Sequence, residues 1–278
     1  MAQAFDDSPE FRRLLEGDPG ADLTRIALEI ARDAYPVLDA SPYVDRIEAL
    51  AVRVRERCPA QAGPKQVLGQ INWVLFVEEG YSGNTETYYD ARNSYLNEVM
   101  DRKTGIPISL SVLYLALANQ VGLPMAGVNL PAHFMVRTLP EDPPLFVDPF
   151  HAGAVLDREG CAQRIAELTG RPIELSDAQI APCPKPLLVA RMLRNLKAIY
   201  LRDNEFMPAL PVLRRLVALS DNEPQEHRDL GMVCLYAGRS AESLDHLGAY
   251  LDAQPQAEDA EAIRALLRAA QRDVAERN

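Results

Sequence analysis

Apolar residues recur at intervals of three and four over Ser8–Gly17, Asp22–Tyr35, Tyr43–Arg57 and Gln66–Glu79, the spacing of one buried helix face. Leu23, Ile26, Ala27, Ile30 and Ala34 form one such stripe, and Val44, Ile47, Leu50, Ala51 and Val54 another. Pro36, Pro42, Pro59 and Pro64 punctuate these segments, with Gly80 after the last. Trp73, within the fourth, is expected to be a buried anchor. From Ile108 to Val121 the pattern changes to a run with almost no polar face, entered through Pro107 and left at Gly122. A helix apolar all round is a core helix. Beyond Pro124, the short runs Val128–Leu130, His133–Leu139 and Leu145–Val147 predict strands joined by turns, packed as a sheet on that helix. Helical spacing returns over Arg158–Thr169.

The Pro-rich stretch Ser176–Pro186 is expected to separate two domains, residues 1–180 and 187–278. Past it the chain repeats. A shift of 34 residues brings Leu196 onto Leu230, Leu201 onto Leu235, Asn204 onto Gly238, Leu213 onto Leu247 and Val217 onto Leu251. A helix–turn–helix unit of that period is the tetratricopeptide-repeat signature. The second copy matches better, with Gly231 in its first helix and Gly238 at its turn, whereas Pro211 breaks the pattern expected of the first copy's second helix. Residues 257–275 read as a closing helix. The fold class is therefore α+β followed by an all-α repeat domain.

Composition narrows the function. With 47% apolar and 25% charged residues the chain is an ordinary globular one, and a net charge of −11 argues against nucleic-acid and anionic-membrane partners. Neither a signal peptide nor a spanning helix is predicted, so a cytoplasmic location is expected. Cys58, Cys161, Cys183 and Cys234 lack zinc-site spacing and are expected to be reduced. No metal site or cofactor is expected.

Three polar residues stand out in the central stretch. Ser109 lies in the first turn of the apolar helix, His133 opens one strand and Asp148 closes another within FVDPF. A hydroxyl at a helix N-terminus, an imidazole and a carboxylate are the parts of a nucleophile, its base and the group that orients the base. Each has a plainer role available: Ser109 as a first-turn filler, His133 as a structural histidine, Asp148 as the start of a turn. A carboxylate buried in FVDPF needs a partner, and His133 is the nearest candidate. His151 is a weaker base candidate because PFHAG reads as a turn. His227 and His246 have no ligand-spaced partners and are taken as surface or packing residues. Upstream, Tyr88, Tyr89, Asp90, Arg92, Asn93, Tyr95 and Asn97 either line the cleft or build a hydrogen-bonded scaffold around it. Asn93, with Tyr95, is the candidate substrate-binding group.

The segments YYDARNSYLNEVMDRKTGIPISLSVLYLALA, VNLPAHFMVR and FVDPF resemble the bacterial transglutaminase-like family named after the SirB invasion-regulator protein. The resemblance implies a papain-related core, one buried helix on a small antiparallel sheet, followed by repeats. It also implies a nucleophile–His–Asp order, with Ser109, His133 and Asp148 in the three places. Transglutaminases and their peptidase relatives carry Cys where this chain has Ser109, and no Cys lies between Cys58 and Cys161. A helix N-terminus holds a thiolate near neutral pH, whereas a serine hydroxyl must lose its proton during attack.

Two functions follow. One is an interaction or regulatory protein with a degenerate site, binding a protein or peptide through its repeats. The other is a serine-dependent hydrolase or acyltransferase acting on amide or ester bonds, which requires a hydrogen bond between Ser109 and His133. The Ser-for-Cys exchange favours the first.

Overall fold

A computed structural model describes residues 5–140, 142–220 and 223–277. The chain forms two compact units that divide between Met192 and Leu193.

In the first unit, α1 (Pro9–Leu15), α2 (Leu23–Arg32), α3 (Ser41–Arg57) and α4 (Pro64–Asn72) realise the four amphipathic stripes. Asp22 caps α2 by accepting from the Thr24 and Arg25 amides. The fourth stripe continues past α4 as a wider π-helical turn, Trp73–Glu78. That turn corrects one expectation. It buries Val74 and Leu75 but leaves Trp73 48% exposed, its indole N–H donating to Glu78. The Trp73 ring is a surface group, because a residue two past Ile71 and five past Leu68 lies on the opposite face of the helix from that buried pair.

Two short strands, β1 (Ser82–Gly83) and β2 (Thr104–Gly105), pair in parallel around α5 (Leu96–Arg102). They lead into α6 (Pro107–Gln120), which is buried along nearly its whole length, as its lack of a polar face requires. The sheet that follows runs in the order β3 (Met125–Leu130), β4 (His133–Thr138), β5 (Phe146–Asp148) and β6 (Ala154–Leu156), every pair antiparallel. Strand alternation then assigns the faces. Phe134, Val136 and Val147 join the core around α6, while Val128, Leu130, Met135 and Phe146 pack with Cys161 and Ile165 of α7 (Arg158–Thr169) and with Ile180 of α8 (Asp177–Ile180). The sheet is the middle of three layers, and β6, like β1, β2, α5 and α8, was not predicted from the hydrophobic pattern.

The second unit continues α9 (Lys185–Arg202) into α10 (Phe206–Leu219), α11 (Pro224–Tyr236), α12 (Ser240–Ala253) and α13 (Ala260–Arg277). Pro211 lies inside α10 without ending it. The carbonyl deprived of its donor is that of Met207, in the first turn of the helix at a position 60% exposed to solvent. At Gly231 a Cβ would lie 2.7 Å from Leu247 Cδ2 and 2.9 Å from its backbone nitrogen, so glycine sets how closely α11 approaches α12. Buried Glu226 is paired with Arg194 and Lys197. His227 and His246, taken as surface or packing residues, face each other with Nδ1 atoms 3.0 Å apart.

Burial, and then the neighbouring His227, hold the His246 imidazole below its ordinary value. The folded state therefore keeps His246 neutral where the unfolded chain takes up a proton, and stability falls as pH drops below about 6.5. Amide-exchange protection factors in α11 and α12, corrected for the intrinsic pH dependence of exchange, are expected to fall between about pH 7 and 5. His246→Gln should flatten that dependence.

Candidate functional site

The strand parity that builds the sheet also places its polar ends. His133 shares a face with Met135, and Asp148 shares one with Phe146, so both belong to the α7 side. There Asp148 is fully buried and accepts from two imidazoles: His133 Nε2 is 3.0 Å from Oδ1, and His151 Nδ1 is 2.7 Å from Oδ2. Arg164 of α7 adds a guanidinium nitrogen 3.7 Å from Oδ2. Burial pushes the Asp148 carboxyl upward, but the hydrogen bond and charge of His133, reinforced by His151, outweigh it and hold the group below the usual carboxylate range.

Local backbone geometry delivers both histidines. Pro131 and Ala132 form the two-residue turn between β3 and β4, with Ala132 at φ 57°. The chain after Asp148 makes a 3-10 turn, Pro149–His151, and Ala152 follows at φ 53°. A left-handed alanine costs about 1–2 kcal/mol, so each histidine is flanked by a strained residue that surrounding contacts must hold. The second turn is held by Asn72, whose amide donates to the Gly153 carbonyl at 2.7 Å while its Oδ1 accepts from Tyr114 at 2.9 Å. Sequence reasoning set His151 aside because PFHAG is a turn. It is a turn, and a 3-10 turn brings residue i+3 back over residue i.

The wall of the site is aromatic. The Phe150 ring centroid lies 6.1 Å from that of His133 and 5.2 Å from that of His151, and Tyr88 meets Phe150 edge-on at 6.3 Å. A Cβ at Gly83 would come within 2.6 Å of the Phe150 ring, so the close approach of β1 fixes that ring.

Ser109 is held elsewhere. Its hydroxyl donates to the Asn93 carbonyl at 2.6 Å and accepts from the Ile106 amide at 3.1 Å, the side-chain-to-N-cap half of a capping box. A Cβ at Gly105 would stand 2.8 Å from Ser109 Oγ, so a glycine is needed beside the hydroxyl. Among the described residues Ser109 and His133 make no hydrogen bond: α6 packs against Phe134, Val136 and Val147, whereas His133 and Asp148 share the opposite parity. Asn93 is fully buried. Its amide donates to the Thr87 and Tyr88 carbonyls, and its Oδ1 accepts from Asn84 and Arg102. Tyr95 is buried edge-on against Tyr35. Through its carbonyl on Ser109, Asn93 braces the start of α6.

Cys161 is no substitute nucleophile, since burial and then the Asp148 charge push its thiol up to about 12. The site's reactive atoms are thus imidazole nitrogens. With Nε2 of His133 and Nδ1 of His151 donating to the carboxylate, the neutral rings leave His133 Nδ1 and His151 Nε2 as bases. His151 is 31% exposed against 2% for His133.

A family model described as the transglutaminase-like superfamily matches residues 41–194, and one described as a tetratricopeptide repeat matches residues 196–268. Among known proteins, a UPF0162 protein of Xylella fastidiosa is 36% identical over 245 residues, 87% of each chain. The Vibrio cholerae UPF0162 protein is 29% identical over 161 residues, 57% of this chain and 59% of that one. F-box only protein 21 of Mus musculus is 40% identical over 110 residues, 37% of this chain and 18% of the mouse protein.

Asp148 stabilises the fold only while ionised. Because its folded value is depressed, that contribution is whole above the ordinary carboxylate range and is lost as pH falls through the lower folded value. Asp148→Asn is expected to lower stability by about 1.5–3 kcal/mol near pH 7. Urea denaturation should show the gap to the native chain closing below about pH 4.

Proposed function

Since this chain belongs to the transglutaminase-like superfamily, with tetratricopeptide repeats after the core, we propose that it is an interaction or regulatory protein of the SirB type whose ancestral acyl-transfer site is degenerate. One observation carries this reading: the hydroxyl in the nucleophile's expected place spends its hydrogen bonds on the backbone of Ile106 and Asn93. Freeing Ser109 for attack would strand a buried amide and a buried carbonyl, at about 1–3 kcal/mol for each group left unpaired. Repeats of this kind bind proteins, and they make a protein or peptide the natural partner class. The mouse F-box only protein 21 supports modular use of the shared region, which occupies a small part of that longer chain.

The alternative, a serine-dependent hydrolase or acyltransferase of amide or ester bonds, is favoured by one feature. His133 and Asp148 are paired as a base and its orienting acid would be, with His133 Nδ1 lacking a hydrogen-bond partner among the described residues.

The two readings separate on Ser109→Ala. The structural role expects a loss of about 1–3 kcal/mol in urea denaturation. It also expects no fluorophosphonate labelling that depends on Ser109 or His133. Covalent labelling of the native chain that disappears in both Ser109→Ala and His133→Ala, with each variant folded, would overturn it. In pull-downs, a chain shortened by residues 193–278 should lose partners that the full chain retains; an unchanged set removes the support drawn from the repeats.

A further inference from the structure

The three groups around the buried carboxylate form a constellation that catalysis by Ser109 does not need. A triad uses one imidazole on its acid, whereas here a second, His151, reaches the other oxygen of Asp148. One ligand atom from each of His133, Asp148 and His151 lies within 4.8 Å of the other two. We propose that His133, Asp148 and His151 form a binding site for a divalent transition-metal ion of the Zn2+ type.

The donor set selects the metal class. Two imidazole nitrogens and one carboxylate oxygen suit Zn2+ and its neighbours, while Mg2+ and Ca2+ require oxygen-rich shells. Metal–ligand bonds of about 2.0–2.1 Å around a tetrahedral ion set its ligand atoms roughly 3.3 Å apart. The present separations of 3.0 Å and 2.7 Å are hydrogen bonds to the two different oxygens of Asp148, and they widen by about 0.3 and 0.6 Å as the ion enters.

Proton balance allows the exchange between neutral rings and the ion. In the metal-free arrangement each neutral imidazole directs its single N–H at the carboxylate. On metal binding that proton moves, through solvent, to the other nitrogen of the same ring, and the vacated lone pair binds the ion. No net proton is released. One anionic carboxylate and two neutral rings around a 2+ ion leave a net charge of +1 on the site.

The surroundings are consistent with a site built to hold a ligand. The carboxylate is fully buried, so its orientation is fixed, and His151 is partly exposed and offers the entry side. A strained left-handed alanine adjoins each histidine. Arg164, 3.7 Å from Asp148 Oδ2, is the opposing influence. Its charge repels an incoming cation, which makes it the group that sets the affinity.

The inference shares the candidate site with the proposed function but does not depend on it, because its readout is metal occupancy and not labelling or partner capture. The test is titration of the full chelator-treated chain with Zn2+ against a chromophoric chelator, with Co2+ absorption reporting coordination. One equivalent is expected to bind. His151→Ala, a substitution at a partly exposed position, should weaken binding at least tenfold, and Arg164→Gln should tighten it. The double variant His227→Ala/His246→Ala, which removes the other imidazole pair, should bind as the native chain does. Absence of stoichiometric binding, binding indifferent to His151→Ala, or binding lost in the double variant would each overturn the proposal.

Discussion

A carboxylate sealed from solvent is the constraint around which the first unit is arranged. Asp148 sits at the end of a central strand, between layers, where an unpaired charge is costly. It persists because three cationic or hydrogen-donating groups reach it from different directions: His133 from the neighbouring strand, His151 from the following turn and Arg164 from the covering helix. Each of those deliveries has its own support. The β3–β4 turn fixes His133, Asn72 and Tyr114 pin the chain beyond His151, and β1 presses on Phe150 between them.

The same logic accounts for the polar segment before α6. Asn93 makes side-chain hydrogen bonds in four directions and gives its carbonyl to Ser109, which in turn holds the Ile106 amide. A buried helix start leaves amides that water cannot reach, and these residues supply the replacement partners. Ser109 is therefore intelligible without reference to chemistry. The superfamily's fold is present, with His133 and Asp148 hydrogen-bonded to each other, while the Ser109 hydroxyl closes the start of the helix.

Much of this was legible from residue order. The fully apolar run predicted α6, short β-branched and aromatic runs between turn residues predicted β3 to β5, a 34-residue shift predicted the repeats, and burial of FVDPF predicted that Asp148 needs His133. Other features were not. The π-helical turn Trp73–Glu78 is a change of winding that hydrophobic spacing does not encode. The short β6 and the Asp148–His151 contact depend on a 3-10 turn, which a sequence reading sees only as a break.

The chain by itself determined which segments must be buried and which polar groups would be costly there, because hydrophobicity and charge are properties of single residues summed over a local period. Which polar groups meet was decided only in three dimensions. Ser109, His133 and Asp148 stand in a suggestive order along the chain, but the alternation of β4 and β5 turns the histidine and the acid toward α7 while α6 packs on the other parity. A one-residue difference in strand parity changes the face a side chain occupies, and no linear spacing between distant segments fixes that relation.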